Sequence, residues 1–157
     1  MAKFGKRKGG PWYGEDRTRL LFEGRAREFF PTLKRQLKRL DQTKGCSYTV
    51  DIDVPFYERR WVEVFFSKSG SRDVPTILAD GPTHSPHRFA SFERRRLCIW
   101  HPYDPREQRW TFDDGLLPLL GLVTLHLLRE ALWRETGEWP GPHAPHTGSD
   151  DKQEIAA

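Results

Sequence analysis

The sequence predicts one α+β domain, in which helices precede and follow an antiparallel sheet. Three observations predict this class: a segment with helical periodicity at residues 15–30, alternating strands over residues 46–79, and an apolar helical segment that follows Gly115. Strands that follow one another in sequence between helices pair as antiparallel neighbours in domains of this class. The length of 157 residues also suits a single domain.

The composition excludes several classes of protein. Apolar residues make up 36% of the chain and aromatic residues 13%, which is enough for a core and excludes wholesale disorder. Cys46 and Cys98 are too few thiols for a disulfide-rich secreted fold. No secretory signal is visible, and the apolar run at 115–128 is too short for a membrane span. We therefore expect a cytoplasmic protein that makes no membrane contact.

The first predicted element is a helix over residues 15–30. Glu15 and Asp16 suit the positive end of its dipole, and Pro31 ends it. The sequence leaves two alternatives for residues 32–40. The spacing of their leucines favours a helix, and periodicity alone supports a strand less well. The apolar stripe of the helix contains Leu20, Leu21, Phe22, Ala26, Phe29 and Phe30.

The sheet is predicted from alternation of apolar and polar residues. Residues 46–54 have the period of a half-buried strand, and a turn at 55–58 separates them from a second strand over residues 59–67. A short third strand covers residues 74–79, with Pro75 at its start or edge. The apolar face of the second strand contains Val62, Val64 and Phe66.

A long loop and a buried helix follow the strands. Residues 80–113 have no regular period, but their aromatic residues predict an ordered loop, and loops of this length are usually functional. Residues 113–115 signal the start of a helix whose first turns are apolar on nearly every side, which predicts a central buried helix. We expect His126 to be a core histidine with satisfied polar atoms. Polarity is expected to return near the helix end at Arg129, Glu130, Arg134 and Glu135.

The predicted domain lies between two polar tails. Residues 1–12 form a basic mobile tail, residues 13–142 the domain, and residues 143–157 a disordered C-terminal tail. Trp139 is expected to pack back onto the domain.

Reactive side chains are concentrated in the loop, at His84, His87, Cys98 and His101. The thiolate is the reactive form of cysteine, and cationic neighbours such as the arginines at 94–96 favour it. This setting favours a catalytic nucleophile at Cys98 over the alternative, a cysteine that only packs as a small apolar residue.

Zinc and nucleic acid are the competing ligands. The pairs His84–His87 and Cys98–His101 of the loop could supply four zinc ligands, but such loose spacing arises easily by chance, so we expect no metal site and no cofactor. The arginines at 94–96 are interpreted as a solvated face or a contact for an acidic partner. A net charge of +4 permits nucleic-acid binding, but no nucleic-acid motif is present, so nucleic acid is not the expected partner.

Residues 15–140 resemble the ubiquitin-conjugating enzymes, and most closely the divergent prokaryotic members encoded beside ubiquitin-like proteins. His87 lies eleven residues before Cys98, close to the spacing between the histidine of that family's His-Pro-Asn motif and its active-site cysteine. The apolar neighbours of Cys98 match the family signature, and Trp110 matches a tryptophan that precedes the family's crossover helix.

The resemblance implies a fold: an N-terminal helix, a four-stranded antiparallel meander, an active-site loop and a central crossover helix. Residues 32–40 then become the first strand. The family's C-terminal helices are reduced or absent here.

The resemblance also implies roles for site residues. Cys98 would be the nucleophile, and His87 would hold the loop. The Asn of the family motif, which helps to stabilise the oxyanion, is missing after His87. His101 is the candidate replacement, either as oxyanion donor or as a group that favours the Cys98 thiolate. An acidic residue, Asp104, Asp113 or Asp114, could orient the incoming lysine.

The implied function is a conjugating transferase of a bacterial antiphage system. Cys98 would accept a ubiquitin-like protein as a thioester from a ThiF-type activating enzyme and pass it to an amine of a target protein. A JAB-type peptidase encoded in the same operon is a further implied partner. The alternatives are a non-catalytic adaptor of the same fold that binds a ubiquitin-like protein, and a small nucleic-acid-binding protein.

The two thiols are predicted to differ in reactivity. Cys98 should alkylate faster than Cys46 in the folded protein at neutral pH, because Cys98 lies in a cationic loop and Cys46 on the apolar face of a strand. Mass spectrometry after brief iodoacetamide treatment measures both sites, and labelling in urea provides the control in which both should react alike. Preferential labelling of Cys46 in the folded protein would contradict the assignment.

Overall fold

Four antiparallel strands, consecutive in sequence, form one sheet with the order β1-β2-β3-β4. In a computed structural model, which describes residues 16–69, 73–101 and 103–142, a helix precedes this sheet and a second one follows it. The predicted α+β class is therefore confirmed. The two predicted tails, 1–12 and 143–157, lie outside the described residues.

Helix α1 spans Asp16–Phe29 and packs against α2 and the core with one narrow face. Phe22 and Ala26 enter the core, and Pro31 follows the end of the helix as predicted. The predicted apolar stripe is too wide, because Leu20, Leu21 and Phe29 are 57%, 52% and 67% exposed to solvent.

The open choice for residues 32–40 is settled as a strand. Strand β1 spans Lys34–Leu40 and pairs with β2, Thr43–Asp53, which begins three residues earlier than predicted. The two residues between them, Asp41 and Gln42, have positive φ of 47° and 64°. Such a two-residue turn matches the twist of the flanking strands, so it fixes the register of the hairpin.

The two central strands carry the core. Strand β3 spans Arg59–Ser67, and its predicted apolar face is buried against β2 and the helices. Strand β4 is short, Thr76–Ala79, and Pro75 precedes it. The residues that β2 and β3 bury in the core are Cys46, Tyr48, Val50, Ile52, Val62, Val64 and Phe66.

The opposite face of the sheet buries a carboxylate. Glu63 is 4% exposed, and its Oε1 accepts hydrogen bonds from Ser47 Oγ (2.5 Å) and Lys38 Nζ (2.6 Å). The lysine compensates the buried charge, which would otherwise be costly to remove from water. These hydrogen bonds account for the burial of Ser47 and Glu63, which lie outside the apolar core cluster.

Helix α2 spans Leu116–Thr136 and contributes the largest helical share of the core. By length and composition alone, this helix of 21 residues could cross a membrane. The prediction that the apolar run at 115–128 is too short for a membrane span therefore does not extend to the whole helix. Eight of its residues are buried, which accounts for the apolar composition by packing within the domain.

The long loop is ordered, as predicted, because it pairs with β4 and with itself. Leu97 N–H donates to the Ile77 carbonyl (2.8 Å), which adds the loop to the edge of the sheet. Phe89 N–H donates to the Arg96 carbonyl (2.9 Å) and Cys98 N–H to the His87 carbonyl (2.9 Å). Two stretches of the loop are therefore joined at residues 87–89 and 96–98.

A buried ion pair joins this loop to α2. The Arg88 and Glu130 side chains are 0% and 2% exposed, and Arg88 Nε and Nη2 donate to the two Glu130 oxygens at 2.9 and 2.7 Å. Arg88 also donates to the carbonyls of Ala79 (2.9 Å) and Asp80 (2.7 Å). The prediction that Glu130 returns polarity to the helix end is thus wrong: Glu130 is buried and binds the loop.

The arginines at 94–96 are likewise engaged with the loop rather than forming only a solvated face. Arg94 donates to the carbonyls of Thr83, Ser85 and Arg88. The Arg96 guanidinium lies 4.6 Å from the centre of the Phe89 ring. The contacts of these arginines help to fix the chain that leads to Cys98.

Breaking the buried ion pair should be strongly destabilising. Glu130→Leu leaves the Arg88 charge buried without its carboxylate, so we expect a loss of about 3–5 kcal/mol in the free energy of unfolding. The double variant Arg88→Met/Glu130→Leu should recover part of that loss, since it leaves no unpaired charge. Urea unfolding measures both.

The matched control is the exposed Arg59–Asp53 pair, which is also held by two hydrogen bonds. Arg59→Ala should change the unfolding free energy little, because solvent screens exposed pairs. A Glu130→Leu variant as stable as Arg59→Ala would contradict the role given to the ion pair.

Candidate functional site

A cavity of about 370 Å³ lies between the long loop and α2. The three predicted site residues, His87, Cys98 and His101, all line it. The sequence analysis placed them in one loop; the structure brings them to one cavity. Leu122 and Leu125 of α2 add apolar surface to its lining.

Cys98 is positioned by the paired stretches of the loop. Its backbone N–H donates to the His87 carbonyl, and the preceding residue, Leu97, is anchored in the core. The Cys98 side chain is half-buried at the cavity. The loop therefore presents the thiol from a fixed backbone, a setting that suits a nucleophile.

His87 is held by packing. It is 5% exposed, and its ring lies 4.1 Å from the Trp139 ring and 6.4 Å from the His126 ring, measured between centroids. This environment fixes the His87 ring against the chain that follows α2. It also confirms that Trp139 packs back onto the domain.

His101 begins a tight turn whose hydrogen bonds restrict its ring. Its backbone N–H donates to Asp104 Oδ2 (2.7 Å), and the Tyr103 N–H donates to His101 Nδ1 (3.2 Å). Because Nδ1 accepts a hydrogen bond, the neutral ring carries its proton on Nε2. His101 can therefore offer an N–H donor at the cavity.

The three acidic residues that could orient a lysine differ in their position relative to the cavity. Asp114 is used locally: its carboxylate caps the turn at Thr111 and binds Arg106. Burial acts against ionisation there, but hydrogen bonds from Thr111 and Arg106 outweigh it and lower the pKa of Asp114. Asp113 does not line the cavity, whereas Asp104 does.

His126 is the site residue that the sequence analysis assigned to the core. It lines the cavity and is 4% exposed, but its Nε2 has no hydrogen-bond partner within residues 16–69, 73–101 and 103–142. The expectation that its polar atoms are satisfied is therefore wrong. Its helical spacing from Arg129, which also lines the cavity, is a signal that could have identified it.

The four candidate zinc ligands of the loop do not all meet in the structure. His84 packs against Trp133 with tilted rings whose centroids are 5.2 Å apart, and it is not part of the cavity wall. Across the described part of the chain, no group of three or more His, Cys, Asp or Glu side chains is placed to hold a metal ion.

Cys46 lies on the core face of β2, as predicted. It is 4% exposed, and burial raises the pKa of its thiol, an effect that the nearby Arg35 only partly offsets. A raised pKa keeps the thiol protonated and unreactive near neutral pH. The candidate site therefore has one thiol, Cys98.

Acidification should expose the cost of burying His126. Burial, with the nearby His87, Arg88 and Arg129, lowers the pKa of His126 to about 3. An unfolded chain takes up this proton near pH 6.5, so the neutral buried ring contributes full stability above that pH. As the pH falls from 6.5 towards 3, the wild type should lose about 1.4 kcal/mol per pH unit through this group.

The comparison is with His126→Leu, which cannot titrate at this position. Urea unfolding between pH 7.5 and 4.5 should give profiles that diverge, with the wild type falling more steeply. Titration of all other groups is common to both proteins. Parallel profiles would show that His126 is not buried as a neutral ring.

The comparisons with known proteins leave the family open. No family model matches the chain, and no curated protein or solved structure matches it. The function is therefore argued from the cavity and its residues.

Proposed function

We propose that the chain is a ubiquitin-conjugating-like enzyme, with the ubiquitin-conjugating fold that its order of elements permits. Cys98 accepts the C-terminal acyl group of a ubiquitin-like protein from a ThiF-type activating enzyme and transfers it to an amine of a target protein. One observation carries the proposal: His87, Cys98 and His101 line the same cavity between the ordered loop and α2.

The first step is an exchange of thioesters. The Cys98 thiolate attacks the carbonyl carbon of the thioester on the activating enzyme, and the S–C bond to that enzyme breaks. The activating enzyme's cysteine leaves as a thiolate, so charge and atoms balance without any cofactor. A half-buried thiol at the edge of a cavity is accessible to such a partner.

The second step passes the acyl group to nitrogen. A target amine attacks the thioester carbonyl, the Cys98 thiolate leaves, and the proton that the amine gives up passes to solvent. The Nε2–H of His101 is suited to donate to the oxyanion that forms in between, and one such donor contributes about 3–4 kcal/mol. Asp104, which lines the same cavity, is suited to orient the incoming amine by accepting a hydrogen bond from it.

The partners follow from the chemistry. The reaction needs an activating enzyme, a ubiquitin-like protein and a target. A JAB-type peptidase of the same operon would reverse the modification. The setting we propose is the bacterial cytoplasm, in an antiphage system.

The test is formation of a thioester adduct in the native host. Tagged wild type, expressed from its own operon, should form an adduct with the ubiquitin-like protein that thiol reductant cleaves on non-reducing electrophoresis. Cys98→Ala should form none, because the nucleophile is missing. Cys98→Ser should form an oxyester that resists reductant.

Two further variants refine the assignment. Cys46→Ala is the matched control and should form the adduct as the wild type does. His101→Ala should still be charged but should discharge more slowly to amines, if its donor acts in the second step. An undiminished adduct in Cys98→Ala would refute the nucleophile, and non-covalent binding without any adduct would indicate an adaptor instead.

A further inference from the structure

One face of α2 forms a wall of the Cys98 cavity. Leu122, Leu125, His126 and Arg129 are spaced at i, i+3, i+4 and i+7, which places them on the same side of the helix. All four line the cavity. The leucines make this wall apolar at one end, and the two nitrogen-bearing side chains make it polar at the other.

Arg129 is not engaged by any charge of the domain that the structure describes. Arg134, further along α2, pairs with Glu58 (2.6 Å), and Arg88 pairs with Glu130. No hydrogen bond or ion pair joins the Arg129 guanidinium to residues 16–69, 73–101 or 103–142. A half-buried guanidinium at a cavity is thus left to bind an anion or a carbonyl oxygen.

The chain after α2 holds this wall in place. Gly137 ends the helix, and Trp139 returns to pack on His126, with ring centroids 5.2 Å apart. Gly141 approaches Arg129 so closely that a Cβ there would lie 2.8 Å from Nε. Packing therefore restricts the guanidinium in the absence of a hydrogen bond, which lowers the entropy cost of binding.

His126 adds a second donor to the wall. Its buried Nε2 lacks a hydrogen-bond partner among the described residues, and a neutral imidazole carries one N–H. The acidic residue of the cavity, Asp104, already accepts the His101 N–H through Oδ2. A ligand with oxygen acceptors would give hydrogen-bond partners to Arg129 and His126 on the α2 wall.

We propose that Arg129 and His126 bind the acyl end of the ubiquitin-like protein through its free C-terminal carboxylate. The identity of this ligand rests on the proposed function. A guanidinium pairs with a carboxylate through two parallel hydrogen bonds. The cavity volume of about 370 Å³ suits a short chain end, and the packing of Trp139 favours residues without large side chains.

The probe is N-acetylglycylglycine, compared with its C-terminal amide. Binding to the wild-type protein is followed by NMR through the indole N–H signal of Trp139, identified with a Trp139→Phe variant. The free acid should shift this signal saturably, and the amide should not. Arg129→Gln should weaken binding of the acid by about tenfold or more, the value of one charge-assisted hydrogen bond.

Arg134→Gln is the matched control, because it removes the same charge from α2 outside the cavity lining, and it should bind the acid as the wild type does. Equal responses to acid and amide, or unchanged binding in Arg129→Gln, would overturn the inference. Tighter binding of inorganic phosphate would overturn the acyl-end assignment.

This experiment is independent of the thioester assay, since a free acid cannot acylate Cys98. An adduct without carboxylate binding would refute only the α2 wall. Carboxylate binding without an adduct would support the wall and count against the conjugating function.

Discussion

The guanidinium of Arg88 fixes the relation between the long loop, the sheet and α2. Its five N–H groups all find acceptors: the two Glu130 oxygens and the carbonyls of Ala79, Asp80 and Arg94. Replacing such a pair by apolar residues is often neutral for stability, whereas its directional bonds allow one arrangement. The value of Arg88 to this fold is therefore the single loop conformation that it selects.

The candidate site inherits its geometry from this anchor. His87 precedes Arg88, and its carbonyl accepts a hydrogen bond from the Cys98 N–H. Cys98 is therefore linked to α2 through this bond and through the ion pair of Arg88 with Glu130. Arg94 adds bonds to the carbonyls on the other side of the loop. Trp139 closes the remaining side by packing on His87. A loop without regular secondary structure can thus fix the backbone around a side chain through hydrogen bonds and packing.

The parts that the sequence predicted are those that depend on near neighbours. Alternation predicted the central strands, and the cluster of polar residues in an irregular loop predicted Cys98 and His101. Glu130 and His126 were misjudged because their environment comes from residues far away in sequence; Arg88 lies 42 positions before Glu130. Periodicity reports that a helix is apolar, but not which of its polar residues is buried with a partner. The two-way choice at residues 32–40 was likewise settled by pairing with β2, which is a contact between strands.

The sequence separation of Arg88 and Glu130 also orders events during synthesis. The loop leaves the ribosome before its carboxylate partner exists, and at ~5–20 residues per second a gap of 42 residues lasts about 2–8 s. Throughout that interval the two guanidinium N–H groups that bind Glu130 have only water and transient acceptors. The sheet hairpins can form meanwhile, because their contacts are local. The nascent chain can therefore complete the meander before the loop that carries Cys98 is anchored to α2, so the candidate site is completed late in the synthesis of the domain.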